Sequence, residues 1–399
     1  MKTINNFQIR DKNVLLRADL NVPVKDGIVI DQTRIYSIQS SVNQLRTNNN
    51  KIFLLSHFGR PNGKINNKYS LKFLCKILAN IFQIKEVHFI NSLNSKEIET
   101  KKNLMNGGDI CLLENIRFYE EEEKNDLHFA KMIAEYFDVY VNDAFSVSHR
   151  KHVSVQSITN YLPSVAGNNL VKEIENLNKL FKSPIKPNTA IIGGSKVSSK
   201  LLLLNNMIES FNTLIIGGAL ANTFLFAQGY NMGKSFVEKY LIKDAIDILD
   251  KSKKFKTKII LPIDLICSNK IDDSININTI DINKIKSEQI AFDIGGNTII
   301  LIKKILQSSK LILLNGPLGA FEYKPFDEGT NKVLNIIKDI TSSHNITTIA
   351  GGGDTIAAIK KANAENSFTY ISTGGGAFLE WLEGKESPGV KALRDNQFS

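Results

Sequence analysis

Seven of the eight arginines in this chain fall within its first 150 residues: Arg10, Arg17, Arg34, Arg46, Arg60, Arg117 and Arg150. A guanidinium grips phosphate or carboxylate through a planar fork that lysine does not reproduce. In a chain with fifty basic residues, most of them lysine, that segregation marks an anion site built by the first half. Its candidate residues are Asp19, Asn21, Arg34, His57, Arg60, Arg117 and Arg150, read as lying at or just after the ends of short apolar runs. His57 and Arg60 share one turn. The second half carries glycine instead. Gly351-Gly352-Gly353-Asp354-Thr355 precedes a helical pattern, and Gly374-Gly375-Gly376 precedes another. Free N–H groups at a helix start receive phosphate, and the Asp354 carboxylate suits magnesium. Gly193-Gly194-Ser195-Lys196-Val197-Ser198-Ser199-Lys200 adds two lysines, Lys196 and Lys200, expected on one face of a helix start. Two chemically different edges imply two different ligands.

These residues need elements to hold them. Apolar runs such as Val14–Leu16, Ile52–Leu55, Ile110–Leu113, Val139–Val141, Ala190–Ile192, Leu214–Ile216, Leu311–Leu314 and Thr347–Ile349 alternate with helical patterns. Continuous rather than alternating apolarity fits strands buried on both faces, hence an α/β chain with parallel sheets. Nine or more strands favour two doubly wound, Rossmann-like sheets in two domains. Asn168–Lys182, with Leu170, Ile174, Leu177 and Phe181 at helical spacing ahead of SPIKP, reads as the helix joining them. In such sheets ligands bind beyond the carboxyl ends of the strands, where the charged and glycine-rich segments lie.

Several features lead elsewhere and are set aside. Gly229–Ser235 imitates a P-loop but has three residues between its glycines where four are needed, and it follows a helical stretch. No GxGxxG follows the first strand, which disfavours a nicotinamide dehydrogenase on paired α/β domains. The net charge of +10 raises a nucleic-acid-binding alternative, yet no recognition motif or aromatic-interleaved basic stretch supports it. The Glu120–Glu123 run is expected as a solvated helix face. Three scattered cysteines give no disulfide framework or zinc pattern, and Cys75 and Cys111 are expected in the core. Composition is ordinary globular, with 42% hydrophobic and 23% charged residues. No apolar run spans a membrane and the N-terminus has no signal-peptide core, so a cytoplasmic location is expected.

VLLRADLNVP, SHFGRP, LLENIRFYEEEEKND, YVNDAFSVSHRKH, IIGGSKVSSK, LNGPLGAFE, GGGDT and STGGGAFLEWLEGK, in this order, closely resemble the phosphoglycerate kinase family over nearly the whole chain. The resemblance implies a monomer of two domains facing a central cleft: 1–168 with the tail 384–399 for 3-phosphoglycerate, 169–182 as interdomain helix, and 183–383 for the magnesium nucleotide. The implied reaction is reversible, direct in-line phosphoryl transfer between 1,3-bisphosphoglycerate and ADP, giving 3-phosphoglycerate and ATP, with domain closure. Carried over, Asp19, Asn21, His57, Arg60, Arg117 and Arg150 contact 3-phosphoglycerate, and Arg34 is both contact and catalytic arginine. Lys196 follows the moving phosphoryl group and Lys200 holds nucleotide phosphate. Glu322 contacts the ribose, Gly295 lies near the adenosine, and Gly352, Gly353, Asp354 and Thr355 form the magnesium-nucleotide end. Gly374, Gly375 and Gly376 open the helix facing the transferred group. Ser195, Ser199, Gly296 and Leu314 depart from the common pattern, which usually has Ala, Asp, Pro and Trp there. No charged site residue is lost.

Overall fold

The computed structural model describes residues 1–399 apart from 94, 182–183, 273–275, 344–345 and 399. Lys182, expected as the end of the joining helix, and Ser399, the end of the tail, therefore lie outside the described residues, as does Ser183. The chain divides into two compact units, Met1–Glu175 with Glu386–Ser399, and Asn176–Lys385. The division falls inside the helix Asn168–Phe181.

The first unit contains strands β1 (Asn13–Arg17), β2 (Val24–Lys25), β3 (Ile28–Val29), β4 (Lys51–Leu55), β5 (His88–Ile90), β6 (Ile110–Leu113), β7 (Val139–Asn142) and β8 (Ser164–Ala166). Six form a wholly parallel sheet in the order β5-β6-β4-β1-β7-β8. β6 and β7 are buried end to end, as their unbroken apolarity requires of strands covered on both faces. β2 and β3 make a small antiparallel hairpin. The tail packs here as well. Pro388 opens the helix Pro388–Arg394, where its missing N–H costs no bond. The Gly389 N–H and Ser387 hydroxyl both donate to the Ser148 carbonyl, at 2.8 and 2.7 Å. Asn396 then spans Thr159, Leu162 and Ser164.

The second unit holds β9 (Asn188–Ile192), β10 (Thr213–Ile216), β11 (Lys258–Ile260), β12 (Asp264–Ser268), β13 (Asn278–Asp281), β14 (Ile290–Ile294), β15 (Leu311–Asn315), β16 (Thr347–Gly351) and β17 (Tyr370–Ser372). Its main sheet is parallel, in the order β11-β10-β9-β15-β16-β17. β12, β13 and β14 form a separate antiparallel sheet that the sequence reading did not anticipate. The reason is physical: β13 is largely exposed, so this sheet lacks the continuous apolarity that signals a strand covered on both faces.

Topology then fixes where ligands can enter. From β1 the first sheet runs outward to β4 and beyond on one side, and resumes at β7 on the other. The second runs from β9 through β10 to β11, and resumes at β15 on the opposite side. Each sheet thus has one switch point, between β1 and β7 and between β9 and β15, where successive connections diverge and leave a crevice.

Candidate active site

The β1–β7 crevice of the first unit collects charge. Asp19, two residues beyond β1, accepts from the Ser146 hydroxyl beyond β7, which bridges the switch point. It also accepts from Arg34 Nη1, at 2.9 and 2.7 Å to its two oxygens, and from the Asn21 N–H at 3.1 Å. Arg34 donates further to the Asn21 carbonyl at 3.2 Å. Its position corrects the sequence reading: Arg34 lies on the short helix Thr33–Ser37, not at a strand end, and swings back to the crevice from there. The Asn21 side-chain oxygen accepts from the Gly59 N–H at 3.0 Å, and Arg117 Nη1 donates to the Gly59 carbonyl at 2.7 Å. The SHFGR loop is therefore held from both sides.

His57 is buried beyond the end of β4, and Arg17, Arg34, Arg117 and Arg150 all act on it. Burial, followed by these four cations with Arg17 first, holds its pKa well below the ordinary value for histidine. The imidazole is neutral at pH 7. Burial also lowers the Arg117 guanidinium to about 10 and His149 to about 4. The buried Arg150 Nε and His149 Nδ1 have no hydrogen-bond partner within the described residues. Four guanidiniums around a neutral imidazole, with donors left over, suit an anion carrying more than one negative group. Arg60 is exposed at the rim and is not among the charges acting on His57.

Glu122 overturns the expectation of a solvated acidic face. It is buried, accepting from the Ser154 N–H at 2.8 Å and the Ser154 hydroxyl at 2.6 Å. Only its neighbours Glu120, paired with Lys124, and Glu123, paired with Arg117, are exposed. Arg17 was counted with the other arginines but given no site role; it is fully buried at the end of β1 and donates to His57 Nδ1 at 3.1 Å.

In the second unit the β9–β15 crevice is walled by backbone. Gly193 and Gly316 cross so closely that a Cβ on either would strike the other strand's carbonyl groups. The Gly193 N–H donates to the Asn315 carbonyl at 3.0 Å. Lys200 Nζ reaches the Asn315 side-chain oxygen, and the Asn315 amide donates to the Gly351 carbonyl at 2.8 Å. Burial lowers the Lys200 pKa while the charges of Asp354 and Glu383 act to raise it. The pairing of Lys196 with Lys200 needs correction: residues 195–200 form a turn, and the helix begins at Leu201. Lys196 is exposed on that turn, and Lys200 caps the helix.

Beside them, β16 ends at Gly351 and the helix Gly353–Lys361 follows at once, with Gly352 at φ +101°, a conformation that side chains other than glycine's resist. Asp354 is exposed in its first turn, while the buried Thr355 hydroxyl accepts from the Gly316 N–H at 2.8 Å. On the adjacent strand β17, Gly374 leads to Gly375 and then to the helix beginning at Gly376. A cavity of about 320 Å³ joins Gly194, Gly218, Phe236, Phe292, Glu322 and Asp354. Gly295 does not line it: it lies behind, capping the helix Gly296–Gln307 and packed on the Asp264 carboxylate. The sequence reading also missed Asp293. Its carboxylate accepts from the Gly329 and Ile294 N–H groups at 2.6 and 2.8 Å and leaves no room for a Cβ at Gly319 or Gly329. It thus clasps both ends of the segment carrying Glu322, and burial pushes its pKa up to about 7.

A guanidinium-rich pocket on one parallel α/β unit, and amide-lined helix starts with a lysine and a carboxylate on another, define the class: a phosphotransferase. The family model described as phosphoglycerate kinase matches residues 4–385. A phosphoglycerate kinase of Bartonella bacilliformis is 43% identical over 392 residues, 98% of each chain. One of Borreliella afzelii is 42% identical over 394 residues, 98% of this chain and 99% of its own. The solved structure of phosphoglycerate kinase from Coxiella burnetii superposes with a TM-score of 0.90 at 34% identity, covering 98% of both chains. That from Pyrococcus horikoshii gives 0.81 at 29%, over 99% and 98%. The chain belongs to the phosphoglycerate kinase family, and its reaction is the glycolytic transfer of phosphate between 1,3-bisphosphoglycerate and ADP.

Proposed function

We propose the following division of labour within this reaction. Asp19, Asn21, Arg34, His57, Arg60, Arg117 and Arg150 bind 3-phosphoglycerate. Lys200, Glu322, Gly352, Gly353, Asp354 and Thr355 receive the nucleotide, its base beside Phe236 and Phe292. Arg34, Lys196 and the amides opening at Gly374–Gly376 neutralise the transferred group. The observation carrying this reading is the crevice beyond β1, where Arg34 grips Asp19 and the Asn21 carbonyl while Asn21 and Arg117 hold the loop of His57 and Arg60 from both sides.

The acceptor in the ATP-consuming direction is a carboxylate, already a nucleophile, so transfer rests on positioning and charge neutralisation. Asp354 is the carboxylate to hold magnesium. Among the described residues no cluster of three or more acidic, histidine or cysteine ligands exists, which fits an ion carried mainly by nucleotide phosphates and water. When bound, the ion supplies charge to the phosphate oxygens. Because donors come from two units, both must engage one phosphoryl group. Domain closure would do this, and a radius of gyration unchanged by adding both substrates would argue against it. No helix among the described residues is long and apolar enough to cross a membrane; a cytoplasmic monomer completes the reading.

The direct test is ADP release from ATP, magnesium and 3-phosphoglycerate, each omitted in turn. ADP release should require all three. Equal release without 3-phosphoglycerate would identify a simple ATPase and refute the assignment.

A further inference from the structure

Behind His57 lies a run of buried polar groups. Arg17, Glu122 and Ser154 are each 1% exposed. Arg17 Nη2 lies 3.1 Å from His57 Nδ1, Arg17 Nε lies 2.9 Å from Ser154 Oγ, and Ser154 Oγ lies 2.6 Å from Glu122 Oε1. These three contacts have only one consistent set of proton positions. A guanidinium donates and never accepts, so His57 Nδ1 must present its lone pair, and the ring proton must reside on Nε2. Ser154 Oγ accepts from Arg17 and must therefore turn its own proton to Glu122, an ionised acceptor. Glu122 also supplies the charge that a fully buried Arg17 needs, with the Tyr140 hydroxyl holding the Ser154 carbonyl at 2.6 Å.

We propose that Glu122, Ser154 and Arg17 form a one-way hydrogen-bond chain that fixes His57 as its Nε2–H tautomer, so that the imidazole meets the anionic substrate as a donor. The inference rests on the assignment of His57 to 3-phosphoglycerate binding and adds three positioning residues to it. His57 makes its one side-chain hydrogen bond among the described residues through Nδ1, which leaves Nε2–H for the ligand. The opposite tautomer would set a lone pair against an anion and a ring N–H against Arg17.

The test combines a spectroscopic and a kinetic readout on the full chain. In protein labelled with ¹⁵N-histidine, the His57 signals, identified by their loss in His57→Gln, should show the neutral Nε2–H pattern at about pH 7 without ligand. Ser154→Ala removes the acceptor that holds Arg17 Nε, so the guanidinium should turn off His57 Nδ1. The tautomers should then mix and KM for 3-phosphoglycerate rise about tenfold, the scale of one buried hydrogen bond, while KM for ATP stays within about twofold. Ser154→Thr, which keeps the hydroxyl, should restore both. A neutral Nδ1–H or a charged imidazole in the parent overturns the proposal. So does a Ser154→Ala protein with an unchanged spectrum, or one in which both KM values rise together. If 3-phosphoglycerate moves no His57 signal, the substrate assignment falls, while the ligand-free tautomer still decides the chain.

Discussion

Replacing Arg34 by alanine tests the reaction at its most charged point. One edge of this guanidinium is committed: Nη1 touches both Asp19 oxygens, at 2.7 and 2.9 Å, and the Asn21 carbonyl at 3.2 Å. The side chain is 31% exposed, so its other edge is open to a ligand. Two costs must be separated. The ground-state cost is small. A partly exposed ion pair contributes up to about 1 kcal/mol, and Asp19 keeps Ser146 and the Asn21 N–H as partners. Folding should therefore weaken by less than about 1 kcal/mol. Loss of a charge aimed at the transferred oxygens costs about 3–4 kcal/mol of transition-state stabilisation, or roughly 10²–10³ in kcat. Of the residues assigned to the acceptor, Arg60, Arg117, Arg150 and His57 remain, so 3-phosphoglycerate should still bind in titration calorimetry. Arg34→Lys, which keeps charge but not the fork, should fall between. Steady-state ADP release checks kcat, and a parent-like kcat in Arg34→Ala would refute the argument. So would a fall in kcat matched by loss of all 3-phosphoglycerate binding.

Other perturbations isolate other parts. Asp354→Asn should raise KM for the magnesium nucleotide about tenfold and leave that for 3-phosphoglycerate unchanged, since only nucleotide phosphate and its ion are near that carboxylate; an unaltered nucleotide titration would move the metal elsewhere. Glu122→Ala strands the Arg17 charge in the interior and should cost about 3–5 kcal/mol of folding stability, read as a lower urea midpoint; an unchanged midpoint would contradict the burial argument. His149 has a folded pKa of about 4, below the ordinary value of 6.5. The unfolded chain therefore takes up its proton first as pH falls. The stability this gives is complete above about pH 6.5 and is lost toward pH 4. His149→Gln should lose less stability than the parent between about pH 7 and pH 5, and parallel urea midpoints would refute this.

Much of this arrangement is legible in the chain because the signals are local. Unbroken apolar runs at Ile110–Leu113 and Leu311–Leu314 declare strands covered on both faces, and glycine runs after β9, β16 and β17 declare where backbone must approach closely. What escapes the sequence is charge whose partner is distant. Glu122 reads as one glutamate in a row of four, because its burial depends on Ser154 and Arg17, respectively 32 residues on and over a hundred residues back. Arg34 reads as a strand-end residue because its helix is only five residues long. Lys196 and Lys200 look like an i, i+4 pair until the turn before Leu201 separates them. Asp293 gives no signal at all, since its role is to close a loop whose ends, Gly319 and Gly329, lie 26 and 36 residues further on.

The two crevices also show why one topology carries opposite chemistries. Each opens where connections diverge beside the first strand of its sheet, so shape alone does not distinguish them. The difference lies in what closes the floor. In the first unit β1 ends in Arg17, a charge that burial makes costly unless it is compensated, and Glu122 and Ser154 meet that need from behind. A cation held there biases every nearby group toward anions, beginning with His57. In the second unit β9 is followed at once by Gly193, whose missing side chain lets Gly316 cross at backbone distance. The floor is then made of peptide groups, and the proposed nucleotide contacts fall to helix starts, Lys200 and Asp354. Arg17→Leu combined with Glu122→Gln, which removes both buried charges rather than stranding one, should therefore weaken 3-phosphoglycerate far more than it weakens the fold. If instead the urea midpoint collapsed while KM for 3-phosphoglycerate held, the buried arginine would be scaffolding, and the anion preference of this unit would have to originate at its rim.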